Sequence, residues 1–168
     1  MPRSSQRSCR LTRSPRRGFL HVGRNAHRPA ERLRLLEEDD RWRQDVASVL
    51  EHLPTDHVAY WDLVFNDGSS EERDSSAAAI AVCALQELVH YLPDSTKRQA
   101  YEQSADEILA SLIANYSACN HPESNALLLH SVYDKPKSIG VDEGSLWGDY
   151  FYLEALSRKL KPDWKIYW

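Results

Sequence analysis

Residues 74–92 read DSSAAAIAVCALQELVHYL: three capping side chains, then nine apolar residues in a row. The oxygens of Asp74, Ser75 and Ser76 can take up the free amides of a helix start. A helix apolar nearly all round until Gln86 belongs inside a protein rather than on its surface. Its alanines suit an inner position where neighbouring helices crowd close, and Pro93 ends it. The spacing predicts a helix over 75–92.

The flanking sequence repeats this theme. Trp42, Val46, Val49, Leu50 and Leu53 share one face of a helix over 39–53, stopped by Pro54. Tyr101, Ala105, Ile108, Leu109, Leu112 and Tyr116 do the same for a helix over 96–116, and a last one covers 146–160. Between helices lie HVAYWDLVFNDGSSEER, with a turn signal at Asn66-Asp67-Gly68-Ser69, and a loop over 117–147. Twice the order is amphipathic helix, loop with aromatics and acids, then a more apolar helix opened by a polar cap. This unit is roughly 55–60 residues, too long for a tetratricopeptide repeat. The expected fold class is all-α, built of helical hairpins, with a short strand pair in the loops as its β structure.

The chain has 168 residues, 42% hydrophobic and 27% charged, the composition of a soluble globular domain. No apolar run approaches the length of a membrane span. Residues 1–30 hold eight arginines and no Asp, Glu or Lys, whereas 31–168 hold 13 basic against 25 acidic groups, a net of −12. So acidic a body argues against nucleic acid as a partner, and membrane association is not expected either. The basic segment 1–30 admits three readings: a transit peptide, a basic arm, or the start of a truncated or disturbed reading frame. Cys9, Cys83 and Cys119 form no CxxC, so no disulfide framework is expected and the usage fits a reducing, cytoplasmic setting. Cys83 reads as a small buried hydrophobe.

Acids gather before the two apolar helices: Asp62, Asp67 and Asp74, then Asp142, Glu143 and Asp149. Paired carboxylates are the tools of glycoside chemistry, but for any single acid here capping or a solvated loop is the simpler account. Tyr60, Trp61, Tyr133 and Trp147 could stack on sugar faces or pack. His130 could line a site or be a satisfied structural histidine. The histidines lack metal-ligand spacing, and a GxSxG elbow, a phosphate loop and a dinucleotide fingerprint are absent.

YWDLVFNDGSSEERDSSAAAIAVCALQEL, LLLHSVYDKPKSIGVDEGSLWGDYFYLEAL and the closing DWKIYW together resemble the C-terminal portion of glycoside hydrolase family 88, the unsaturated glucuronyl hydrolases. Arg73-Asp74-Ser75-Ser76-Ala77 and Trp147-Gly148-Asp149-Tyr150 carry the resemblance, which covers about residues 39 to 168. It implies an (α/α)6 barrel of six helical hairpins, of which this chain would supply about two and a half. It also implies an active-site funnel at the N-terminal ends of the inner helices, and no metal or organic cofactor. The implied substrate is the Δ4,5-unsaturated uronate at the end of a lyase-generated, glycosaminoglycan-type oligosaccharide. An Asp protonates the vinyl ether, water adds, and the hemiketal opens.

The family's two essential aspartates precede the matched region, so the resemblance implies no catalytic residue here. A fragment inactive alone, or active with a separate N-terminal half, is the expectation. The alternative is a non-catalytic α-hairpin module binding a glycan or protein partner. The residues implied to contact sugar are Tyr133, Asp134, Lys137 and Trp147. Where members accepting sulfated disaccharides look to carry Ser-x-x-Ser-x-Lys, this chain has Asp134, Lys137 and Ile139, which implies a preference for unsulfated sugar. An open arc of barrel would leave the apolar flanks of helix 75–92 exposed.

Overall fold

The computed structural model describes residues 49–51, 53–93, 95–161 and 163–165. The expected segment 1–30, and most of the expected helix 39–53, lie outside these residues; 49–51 are helical.

Helix α1, Ser75–Leu88, starts as its sequence requires: the Asp74 side chain accepts from the amides of Ser76 and Ala77. A 3-10 turn, Val89–Tyr91, finishes it before Pro93. Helix α2, Thr96–Ser111, is capped by Ser95, whose hydroxyl accepts from the Arg98 amide. It passes into a π-helical turn, Leu112–Tyr116, where the sequence suggested one uninterrupted helix. Helix α3, Leu146–Leu160, is capped by Ser145. The strand pair is real: β1, Ser131–Asp134, runs antiparallel to β2, Ile139–Glu143, across a 3-10 turn at Lys135–Lys137.

α1 packs against both α2 and α3. Ala79 and Val82 of α1 meet Ile108, Leu109 and Leu112 from α2 and its π-turn, Leu128 from the long loop, and Tyr152 and Ala155 from α3. Burying one such Val, Ile or Leu contributes about 1.5–3 kcal/mol. At their N-terminal ends α1 and α3 come close because Gly148 has no side chain. A Cβ there would lie 2.8 Å from Ser145 Oγ, 3.1 Å from Ser131 Oγ and 3.3 Å from Ser76 Cβ. At the far end Arg158 closes the joint, reaching Glu87 at 2.9 Å and the buried Glu154 at 2.7 Å.

The expectation that helix 75–92 carries the exposed apolar flank is corrected here. α1 is sandwiched, and its exposed residues are only Ala77 and Ala84. Leu63 and Val64 are exposed in a loop and Ile139 on the hairpin, whereas exposed apolar groups on a helix gather instead on α3: Leu146 (84%), Tyr150, Leu153 and Leu160 (78%). These recur at i, i+4, i+7 and i+14, on the side away from Gly148, Tyr152 and Ala155, which pack inward. No helix among the described residues is long and apolar enough to cross a membrane.

Candidate functional site

The N-terminal ends of α1 and α3 lie together, and three loop segments gather over them: 53–74, 117–130 and the hairpin β1–β2. Asp74 organises the meeting point. Beyond its capping bonds, its Oδ1 accepts from Ser76 Oγ at 2.6 Å and from the Val132 amide of β1 at 3.3 Å. Ser76 Oγ in turn accepts from Trp147 Nε1 at 3.1 Å. One carboxylate oxygen therefore holds both the strand that carries Tyr133 and, through a serine, the indole of Trp147. The two rings stand 5.4 Å apart, tilted by 50°. Both stay open to solvent, Tyr133 at 66% and Trp147 at 39%. Gly140, at φ +57°, passes so close to Tyr133 that a Cβ would lie 3.0 Å from the tyrosine's own.

The four residues expected to contact sugar thus fall into two pairs. Tyr133 and Trp147 form the exposed aromatic pair. Asp134 and Lys137 bind each other, Nζ to Oδ2 at 2.5 Å, and Asp134 also accepts from the Lys137 amide. The lysine holds the Asp134 carboxyl below its ordinary range, and the aspartate raises Lys137. Lys135 is likewise occupied, by Glu72 and, at 3.6 Å, by Glu71. Its hydrogen bond lowers Glu72.

The remaining acids have structural work. Asp149 Oδ1 accepts from the amides of Leu127 and Leu128, at 2.9 and 3.0 Å, and so pins the long loop. Asp67 accepts from the Thr55 amide and hydroxyl, which hold it below the usual carboxylate range. Asp62 accepts from the Val64 amide within its own turn. Of the other aromatics, Tyr60 is buried beneath the Arg73 guanidinium, 3.7 Å from its ring centre. Trp61 donates to Glu71 and packs on Phe65.

A second group sits beside the first, around a cleft of about 280 Å³ lined by Arg73, Asn115, Tyr116, His130 and Asp142. Tyr116 donates to Asp56 at 2.6 Å, and burial, then that carboxylate, raise its phenol well above the ordinary value. Arg73 reaches Asp56 at 3.2 Å. His130 lines this cleft and binds Asp142 at 2.6 Å. Asp56, Arg73, Asn115 and Tyr116 were not foreseen as a group, since they come from segments up to sixty residues apart. Among the described residues no set of three His, Cys, Asp or Glu could hold a metal ion.

No family model matches the chain. It is 49% identical over 120 residues to the unsaturated chondroitin disaccharide hydrolase of Streptococcus pneumoniae, covering 71% of this chain and 30% of that protein. To the unsaturated glucuronyl hydrolase of Bacillus sp. (strain GL1) it is 36% identical over 110 residues, 65% of this chain and 29% of the other. Among solved structures, an aspartate-to-asparagine mutant of the Streptococcus agalactiae unsaturated glucuronyl hydrolase, complexed with dGlcA-GalNAc6S, superposes with a TM-score of 0.69. Identity there is 40%, over 83% of this chain and 38% of that one. The chain therefore spans about 30% of the length of the curated relatives it matches.

Proposed function

We propose, for a chain similar to the C-terminal portion of unsaturated glucuronyl hydrolases, that it forms one wall of such an enzyme's active-site funnel and holds the sugar. The observation that carries this is the exposed Tyr133–Trp147 pair, fixed through Asp74 and Ser76 where two helix N-termini meet. Two exposed rings tied to rigid elements suit the apolar faces of a sugar ring.

The reaction in this reading adds water across the double bond of a terminal Δ4,5-unsaturated uronate. A carboxylic acid protonates the vinyl ether, water adds, and the resulting hemiketal opens to release the remaining sugar. The proton donor is not assigned to this chain. Asp62, Asp67, Asp74, Asp142 and Asp149 each serve as acceptors to nearby protein groups. Alone, the chain then binds without turning over, and catalysis calls for further chain of the kind its longer relatives contain.

The paired state of the hairpin lysines refines the substrate. Lys137 is held by Asp134 and Lys135 by Glu72, so a sulfate would have to compete with a carboxylate already seated on each ammonium. Unsulfated disaccharide is the preferred ligand. The test is a titration of the chain with unsaturated chondroitin disaccharides, sulfated and not, followed at the Trp147 indole N–H, with absorbance of the double bond recorded in parallel. Saturable shifts at Trp147, tighter for the unsulfated sugar, with no loss of absorbance, are expected. Robust turnover by the chain, or tighter binding of the sulfated sugar that Lys137→Ala leaves unchanged, overturns this reading.

A further inference from the structure

The hairpin that carries Tyr133 is tied at its base by two non-glycine residues in left-handed backbone, a region that Asp and His enter more readily than most side chains but still uncommonly. His130, just before β1, has φ +65°, and Asp142, within β2, has φ +59°. Left-handed backbone is natural for glycine and is held against a cost by other residues. Asp142 occupies that region for an identifiable reason. Ser131 pairs with Glu143, but Val132 pairs with Val141, so Asp142 is the extra residue of a β-bulge. The two strained residues face each other: His130 Nδ1 lies 2.6 Å from Asp142 Oδ1. A carboxylate only accepts, so the imidazole Nδ1 carries the proton.

We infer that His130 and Asp142 are positioning residues, whose bond locks the bulged base of the hairpin and so sets Tyr133 against Trp147. Both side chains are about half exposed, 46% and 57%, so water could satisfy either one without a left-handed backbone. The bond is therefore what the strained geometry secures. The His130 carbonyl accepts from the Ser75 amide at 3.1 Å, and Val132 donates to Asp74, so the latch sits where the hairpin is fastened to the start of α1. The His130 ring also stands edge-on to Tyr116, 5.8 Å between centres. The role of Tyr133 as a sugar contact rests on the function proposed above; the latch itself does not.

The experiment uses the full chain and two variants. Asp142→Gly keeps a residue suited to the bulge and to positive φ but deletes the carboxylate; Asp142→Asn keeps an oxygen that can accept from His130. Amide hydrogen exchange is read at the hairpin, with α1 as internal control. Hairpin amides of Asp142→Gly should exchange faster by about tenfold or more, with α1 unchanged and Asp142→Asn close to the parent. Equal or slower exchange in Asp142→Gly would mean that the bulge merely tolerates an aspartate, and would overturn the latch. The unsulfated disaccharide is then titrated into each. Weaker binding by Asp142→Gly supports the positioning role. Faster exchange with unaltered binding would leave the latch standing and reject Tyr133 as the sugar contact.

Discussion

A single carboxylate oxygen of Asp74 accepts from four donors on two elements: Ser76 N, Ser76 Oγ, Ala77 N and Val132 N. Replacing Asp74 by alanine removes a helix cap and leaves a strand amide unpaired, so a stability loss of about 2 kcal/mol is expected in denaturant titration. Asp74→Asn, which keeps an oxygen at the same reach, should lose less than half of that. The capping role was legible in the run Asp-Ser-Ser. The reach to Val132, fifty-eight residues on, was not, because it depends on how the long loop folds back. That Tyr133 and Trp147 would be an exposed pair was not legible, because aromatics beside glycines and acids fit stacking and packing alike. That Asp134 would consume Lys137 was not, because the pairing follows from the tight 3-10 turn between them. The cysteines differ as sharply. Cys83 donates to the Phe151 carbonyl, and burial pushes its thiol up to about 12, while Cys119 is exposed. Iodoacetamide at about pH 8 should modify Cys119 and spare Cys83 in the folded chain, read by peptide mass mapping.

At the scale of elements, the helices and the loops are held by different physics. The helix joints rest on apolar burial and on Arg158, whereas the 53–74 loop and the hairpin are fastened by Asp67, Glu72 and Asp134, all with lowered carboxyl pKa. A depressed carboxyl contributes stability that is present above its unfolded value, here 3.8 for Asp and 4.5 for Glu, and is lost as pH falls through the folded one. Acidification from pH 5 toward 3 should therefore loosen the hairpin and the 53–74 loop before α1 and α3. Amide exchange at several pH values, corrected for intrinsic rates, checks this; simultaneous loosening of α1 would contradict it. Helix positions were readable from apolar spacing and caps, and α3 begins and ends where periodicity put it. The π-turn at Leu112–Tyr116 was hidden, since both ladders place Leu112 and Tyr116 on a buried face. The backbone over Leu112–Tyr116 shows which one the chain uses.

For the whole molecule, the surface feature with the plainest consequence among the described residues is the apolar stripe of α3. Leu146, Tyr150, Leu153 and Leu160 form a row of the kind that marks an interaction face. The purified chain should bind a hydrophobic dye and self-associate as concentration rises, and Leu153→Lys should reduce both. Light scattering with dye fluorescence checks this, and a monomer indifferent to Leu153→Lys would contradict it. The α1–α3 joint has a further consequence, in time rather than in space. Its defining contacts span sequence separations unusual for helices: Ser76 with Trp147 and Glu87 with Arg158 are 71 residues apart, and Cys83 with Phe151 is 68. Long loops must close before these contacts form, which should make folding slower than in helical proteins with local contacts. During synthesis at about 5–20 residues per second, the apolar run of α1 waits roughly 4–14 s for α3, the later of its two partner helices, to be made. The segment most committed to the interior thus spends that time with its α3 face uncovered, a vulnerability to premature association that belongs to the growing chain alone.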